Sequence, residues 1–361
     1  MNILFVIKGN EPYVSQQAQI ELIAGLQRKG VSILLAGNFS SEVEAFLRVL
    51  KINFTKIFPK KKIDRKYIKY FKELIQKQQI DLVHFVDGKS ARSGLIAIKN
   101  TPVKSVIYFG SGSLHWYDPS SYLTYLHPSI DAIICNSNFV YKHVRNQLFG
   151  KQKDRAVQIY KGYNPSWFDN ILSKDLAEFG IPKDAITVCL VGNHRKIKGT
   201  KYFLQSSYHL ESEKNIHYLL IGENTGNSFF QNIRKNSPIA EKIHILGHRT
   251  DVISILKSVN IYSQTSLEEG FGRAISEAMS VGKPIVMTNA GGCTELIDES
   301  SGIITPVKDP KAIGKAISSL VNNDELRKQM GENAKNRIED VYHINETVTD
   351  TLKLYRRLLN E

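Results

Sequence analysis

Residues 265–286, TSLEEGFGRAISEAMSVGKPIV, gather groups that can handle an anion at one point of the chain. An apolar run ends near Gln264, Gly270 and Gly272 permit a tight loop, and a helical pattern starts directly after them. A helix opening on such a loop presents unpaired backbone N–H groups and the positive end of its dipole, a combination that favours phosphate or carboxylate. Glycine turns of this kind also serve plain strand-to-helix packing. Two carboxylates sharpen the reading. Glu269 stands in the loop where a ligand would lie, and Glu277 follows eight residues later, inside the helix but beside its apolar stripe of Ala274, Ile275, Ala278 and Met279. A pair of solvent-facing glutamates is the plain alternative that these residues leave open.

The longer run EGFGRAISEAMSVGKPIVMTNAGGCTELI resembles the signature of the large retaining glycosyltransferase family conventionally numbered four, whose hallmark is two glutamates separated by seven residues. VGNHRKIKGTKYFL, YLLIGEN, ILGHRTDVISIL and SGIITPVKDP match in the same order, so the resemblance covers nearly all of the second half. It implies an α/β chain of the GT-B kind, two doubly wound Rossmann-like domains facing a central cleft, with a nucleotide diphosphate sugar as donor. It further implies that Glu269 lies by the transferred sugar, that Glu277 hydrogen-bonds the ribose, and that groups around Gly270, Phe271 and Gly272 hold sugar and phosphate. Lys198, followed by Gly199, would neutralise the leaving phosphates together with an arginine. The family's usual arginine directly after the first glycine is Asn193 here, so Arg195 is its expected replacement, with Lys196 competing for the role. Main-chain groups near His248 and Arg249 would accept the base, which leaves no readable trace; a UDP- or GDP-sugar is expected. Asp251 reads as the N-cap of the next helix.

The first half matches less closely. Gly9 follows the first strand, where the family's donor-phosphate loop would lie, without the usual tandem glycines. The resemblance places acceptor-side loops at DLVHFVDGKS and VIYFGSGSLHW, the second bringing His115 to the cleft; such a histidine serves equally well as a local hydrogen-bonding residue. No Asp-x-Asp pair or histidine cluster supplies metal ligands, and no cofactor is expected. A sugar leaves its diphosphate with positive charge on the anomeric carbon and growing negative charge on the β-phosphate. Cations and N–H dipoles at Lys198, Arg195 and 270–272 would stabilise that charge. The candidate catalytic set is Glu269, Lys198, Arg195 and His115. The resemblance implies retention of configuration by same-face attack, with no protein nucleophile.

Such loops need strand ends to carry them. Both halves alternate short β-branched runs with helical periods, the pattern of parallel strands joined by crossover helices. Strands are expected at 3–7, 31–36, 81–86, 103–109, 132–136 and 156–160, then at 186–192, 217–222, 242–246, 261–264, 284–288 and 302–306. Helices are expected at 14–29, 202–210, 252–257, 273–280, 310–322, 324–340 and 345–359. The rhythm lapses between 162 and 183, where GYNPSWFDN and EFGIPKD carry turn residues. A division there gives an acceptor-binding domain, 1–165, and a nucleotide-sugar domain, 166–361, whose last helix (343–361) crosses back to the first.

A length of 361 residues suits two such domains. No apolar stretch approaches the ~20 residues of a membrane-spanning helix, and the N-terminus lacks a secretion leader, so a cytoplasmic protein is expected. Cys135, Cys189 and Cys293 have no paired spacing and read as buried apolar residues. The net charge of +13 is concentrated in the first half. That asymmetry points to an anionic partner, with a merely solubilising surface as the alternative. The densest stretch, PKKKIDRKYIKYFKELIQK at 59–77, puts Lys60, Lys61, Lys62, Arg65, Lys66 and Lys69 beside Ile63, Tyr67, Tyr70, Phe71 and Ile75. It suggests docking on the anionic inner face of a membrane and an acceptor that is a lipid-linked glycan, lipopolysaccharide or glycolipid precursor. Alternatively, Tyr67, Phe71 and Ile75 are the buried stripe of a crossover helix. Nucleic acid is not expected, since no base-reading module is present. A soluble acceptor, a nucleotide-sugar epimerase and a catalytically silent nucleotide-sugar binder remain the alternative functions.

Overall fold

The computed structural model describes residues 1–211 and 214–361. Two units of parallel-sheet α/β structure emerge, one formed by residues 1–162 with 344–361 and the other by residues 163–343.

In the first unit the order is β1 (Asn2–Val6), α1 (Tyr13–Arg28), β2 (Ser32–Gly37), α2 (Ser41–Val49), β3 (Asn53–Lys56), α3 (Arg65–Lys77), β4 (Leu82–Phe85) and α4 (Gly88–Ile98). It continues through β5 (Lys104–Phe109), β6 (Ala132–Cys135), α5 (Asn138–Gln147) and β7 (Ala156–Gln158). The strands lie in the order β3-β2-β1-β4-β5-β6-β7, all parallel. Central strands such as β4 and β6 are buried along their whole length, because helices cover both faces of a parallel sheet. β3 escapes the sequence reading for the opposite reason: as an edge strand, NFTK is half-exposed and lacks an apolar run.

On one side of this sheet, Tyr67 and Phe71 of α3, Leu95 of α4, Val140 and Val144 of α5, and Leu114 and Leu126 of the β5–β6 connection share a core with Val6, Phe85 and Ile133. Tyr67, Phe71 and Ile75 are therefore core residues, which corrects their reading as membrane-facing surface; Tyr70 and Ile63 of that stretch stay exposed. On the other side α1 meets the C-terminal helix α12 (Ile344–Leu359), where Gly25 lies so close to Val348 that a Cβ would stand 2.4 Å from its Cγ2. Buried His84 of β4 has Nδ1 2.6 Å from Tyr355 Oη of that helix, and burial lowers its pKa to about 3.

The second unit runs β8 (Ile186–Val191), α6 (Thr200–Ser206), β9 (Ile216–Ile221), α7 (Ser228–Lys235), β10 (Ile243–Gly247), α8 (Val252–Ser258), β11 (Ile261–Gln264) and α9 (Arg273–Ser280). It ends with β12 (Ile285–Thr288), β13 (Gly302–Thr305), α10 (Pro310–Asn322) and α11 (Asp324–Asp340). Its six strands take the order β10-β9-β8-β11-β12-β13, again all parallel. The three cysteines are buried and free of disulfides.

Candidate active site

Strand order alone points to a location. From β8 the chain winds outward through β9 to β10, then returns to the other side of β8 with β11 and winds on to β13. Ligands of open α/β sheets bind beyond the carboxyl ends of the strands at such a reversal. Here the two loops at that point are 192–199, after β8, and 265–272, after β11. Leu267 N–H donates to Ile197 O at 2.7 Å and Thr265 Oγ1 to Gly199 O at 3.0 Å, so the loops are stitched together. Gly199 has φ +59°, and a Cβ there would meet Thr265 O at 1.9 Å; only glycine permits the approach.

The stitched loops bring Lys198 and Glu269 into contact, Nζ to Oε2 2.5 Å, with both side chains largely buried. An ammonium has three donors, and Glu269 takes one of Lys198's. Behind Glu269 runs a chain of buried hydrogen bonds. Tyr262 Oη donates to Gln264 Oε1 at 2.6 Å, Gln264 Nε2 to Ser266 Oγ at 2.9 Å, and Ser266 Oγ to Glu269 Oε2 at 3.3 Å. Burial first, then the charges of Cys189, Glu277 and Glu269, hold the Tyr262 phenol far above its usual pKa, so it stays a donor. Thr288 Oγ1 donates to Ser266 O at 2.5 Å, and Glu269 N–H donates to Ala290 O at 2.7 Å, fixing the loop's main chain. Gln264, Ser266 and Thr288 were missed by the sequence reading, since a hydroxyl or amide on a strand end looks like any other polar residue until its partner is known.

Phe271 is buried, and Gly272, at φ +107°, opens α9 where a Cβ would stand 2.6 Å from Ile275 Cδ1. Glu277, only 3% exposed, points from the buried side of α9 and pairs with Arg273 at 3.1 Å. A carboxylate so buried is not a solvent glutamate, and its charge requires partners. Arg195 and Lys196 are exposed; Arg195 Nε donates to Asn193 Oδ1 at 3.2 Å, which orients its guanidinium, while the Lys196–Lys198 turn carries the lysines. His248 is exposed on the loop after β10. Arg249 is held by Asp251 at 2.8 and 2.5 Å and lies over the Phe179 ring at 5.3 Å. This corrects the capping role read for Asp251: it occupies the position before α8, but its carboxylate serves Arg249 rather than the helix.

The two remaining candidates lie in the first unit. Gly9 follows β1 at that sheet's own reversal, between β1 and β4, with φ +76° and Phe39 packed against it. His115 stacks on Tyr117 at 5.0 Å and meets His143 of α5 at 5.9 Å. Lys60, Lys61, Lys62, Arg65, Lys66 and Lys69 are all exposed.

Two winding parallel sheets, with a largely buried cation–carboxylate pair at the reversal of the second, are the architecture of the GT-B class. The comparisons with known proteins agree. Residues 173–337 match the family model "Glycosyl transferases group 1", and residues 18–167 match "Glycosyltransferase Family 4". The chain belongs to these glycosyltransferases, the two models between them accounting for most of its length. It is 25% identical over 301 residues to the UDP-Gal:alpha-D-GlcNAc-diphosphoundecaprenol alpha-1,3-galactosyltransferase of Escherichia coli, covering 78% of this chain and 77% of the relative. Other curated relatives are matched over about half of their length. Its fold is similar to that of a glycosyltransferase from Rickettsia africae ESF-5, with TM-score 0.83, 22% identity and 100% and 99% of the two chains covered. It is also similar to an Anabaena protein crystallised with UDP and glucose, with TM-score 0.81, 17% identity and 99% and 100% covered.

Proposed function

We propose that this chain transfers a sugar from a nucleotide diphosphate sugar, a UDP- or GDP-sugar, to a lipid-linked glycan acceptor, with retention of anomeric configuration and without a metal. The Lys198–Glu269 pair at the reversal of the second sheet carries the reading. Its remaining ammonium donors, the oriented guanidinium of Arg195 and the N–H groups of the 270–272 loop suit a β-phosphate on which charge grows as the sugar departs. Glu269 would meet the transferred sugar, and Glu277 the ribose hydroxyls, both as acceptors. His248 and Arg249 would offer main-chain groups to the base, and Gly9 and His115 of the first unit would serve donor phosphate and acceptor.

The acceptor class is supported by the diphosphoundecaprenol in the Escherichia coli relative's name and by the exposed cations of 60–69, which suit the anionic inner face of a membrane. Among the described residues no helix is long and apolar enough to cross a bilayer, so access to such an acceptor would come through surface docking. The test is incubation of the purified protein with labelled UDP- and GDP-sugars and polyprenyl-diphosphate glycans in detergent. Label appearing in the organic phase supports the reading, whereas label passing only to water-soluble glycans replaces the acceptor class.

A further inference from the structure

Docking on a membrane needs apolar anchors as well as cations, and α3 supplies few of them because Tyr67, Phe71 and Ile75 are spent in the core. Its outward side carries Arg65, Lys69 and Lys72. The missing anchors stand elsewhere in the same layer of helices. Trp116, Tyr117 and Phe149 are 50%, 66% and 58% exposed. They form one cluster, the Trp116 ring meeting Phe149 and Tyr117 edge-on at 6.0 Å each.

The protein holds these rings outward. The backbone N–H of Trp116 donates to Gln147 Oε1 at 3.1 Å, a His143 ring nitrogen lies 2.7 Å from Leu114 O, and His115 stacks on Tyr117. The loop is thereby fixed to α5 while Leu114, two residues before Trp116, enters the core. Close to these rings in the chain are exposed Lys142 of α5 and Lys151 and Lys153 just after Phe149, with exposed Asp118 and Asp154 of opposite charge. Asp118, whose carboxyl is kept below its usual pKa by Ser120 and then by the charges of His115 and Arg92, also faces α4. The layer is continuous, because α4 packs on α3 and the β5–β6 connection lies between α4 and α5, with Tyr125 against Gly88.

We propose that Trp116, Tyr117 and Phe149 form an interfacial anchor that seats this face in an anionic bilayer, with the cations of α3 and of the α5 end on lipid headgroups. Aromatic rings flanked by lysine and arginine are the side chains that settle at the membrane–water boundary, and the charge balance of this face selects a negative surface. The inference rests on the membrane reading above and names the part of it that enters the lipid.

The test uses the full chain with Trp167→Phe, which leaves Trp116 as the sole tryptophan. Vesicles contain phosphatidylcholine with an equal share of phosphatidylglycerol, with or without bromine on the acyl chains. The expected results are co-sedimentation, a blue shift of Trp116 emission, quenching by the brominated lipid, and at least about tenfold weaker binding by the Trp116→Ser/Phe149→Ser variant at an unchanged melting temperature. Vesicle binding that leaves Trp116 unquenched and the double variant unimpaired would overturn the anchor while sparing docking through α3. Absence of vesicle binding at low salt would overturn both, and quenching by soluble oligosaccharide alone would make the cluster a sugar platform instead.

Discussion

Lys198 and Glu269, 71 residues apart in the chain, meet at 2.5 Å beyond the carboxyl ends of two adjacent strands. Each holds the other's charge in a largely buried place, so each substitution leaves an uncompensated partner. Lys198→Ala is expected to reduce transfer by roughly 10- to 150-fold, the worth of one charge-assisted hydrogen bond to the transition state. Glu277→Gln is expected to fall in the same range while the melting temperature stays near that of wild type. Near-normal kcat/KM in either variant removes that residue from the site.

Ser266 positions Glu269 without a place for substrate of its own. Ser266→Ala breaks the hydrogen-bond chain from Tyr262 and is expected to lower kcat by about fivefold to tenfold, with KM for the donor changing little. Ser266→Thr, which keeps the hydroxyl, recovers most of the loss. A rise in donor KM at unchanged kcat would mean that Ser266 contacts the donor directly.

Gly199→Ala forces a Cβ toward Thr265 O and a left-handed backbone onto a residue that disfavours it. The expected cost is about 2 kcal/mol or more of stability, read as a lower denaturant midpoint, together with loss of activity as the Lys198 turn shifts. A variant as stable as wild type would show that the loops separate easily.

The fold class was legible because buried parallel strands announce themselves as β-branched runs, and α9, α10 and α11 have ends marked by glycine, proline or asparagine. The half-exposed edge strand β3 lacked an apolar run, and α7, although capped by Asn227 and Asn236, is only eight residues long with a single fully buried side chain, Phe230. At the site, the two glutamates and Lys198 could be singled out by motif. What motif could not show is that Lys198 and Glu269 touch, which depends on loops brought together by strand order, that Glu277 lies on the buried side of α9, or that the Asp251 carboxylate turns to Arg249 two residues before it rather than to the helix. The apolar residues of 59–77 were ambiguous for a related reason: a four-residue spacing describes a buried stripe and a membrane-facing stripe equally well, and only the neighbours of Phe71 decide.

His84 provides a pH signature. Its pKa falls from 6.5 to about 3 in the folded chain because burial disfavours the charged ring. The neutral ring therefore contributes stability that is complete above about pH 6.5 and is lost as pH falls toward 3, with a slope of up to about 1.4 kcal/mol per pH unit. Tyr355 Oη bonds its Nδ1, Tyr108, Tyr160 and Lys161 line the same small cavity as the imidazole, and its Nε2 has no hydrogen-bond partner among the described residues. His84→Leu is expected to flatten the dependence between pH 6 and 4, a difference that isolates His84 from His217 and His244, whose pKa values are also lowered. An unchanged slope would mean that His84 titrates normally.

Lys198 and its loop, rather than a metal, are expected to drive departure of the sugar from its nucleotide diphosphate. Proton NMR of UDP- and GDP-sugars with the purified protein, excess EDTA and no acceptor follows that departure. Slow release of nucleoside diphosphate and free sugar from one of these donors is expected, the sugar first appearing in the donor's own anomeric form. The release should survive the chelator and fall at least about tenfold in Lys198→Ala. Release that stops with EDTA and returns with Mg²⁺ or Mn²⁺, or that proceeds equally in Lys198→Ala, would contradict this mechanism.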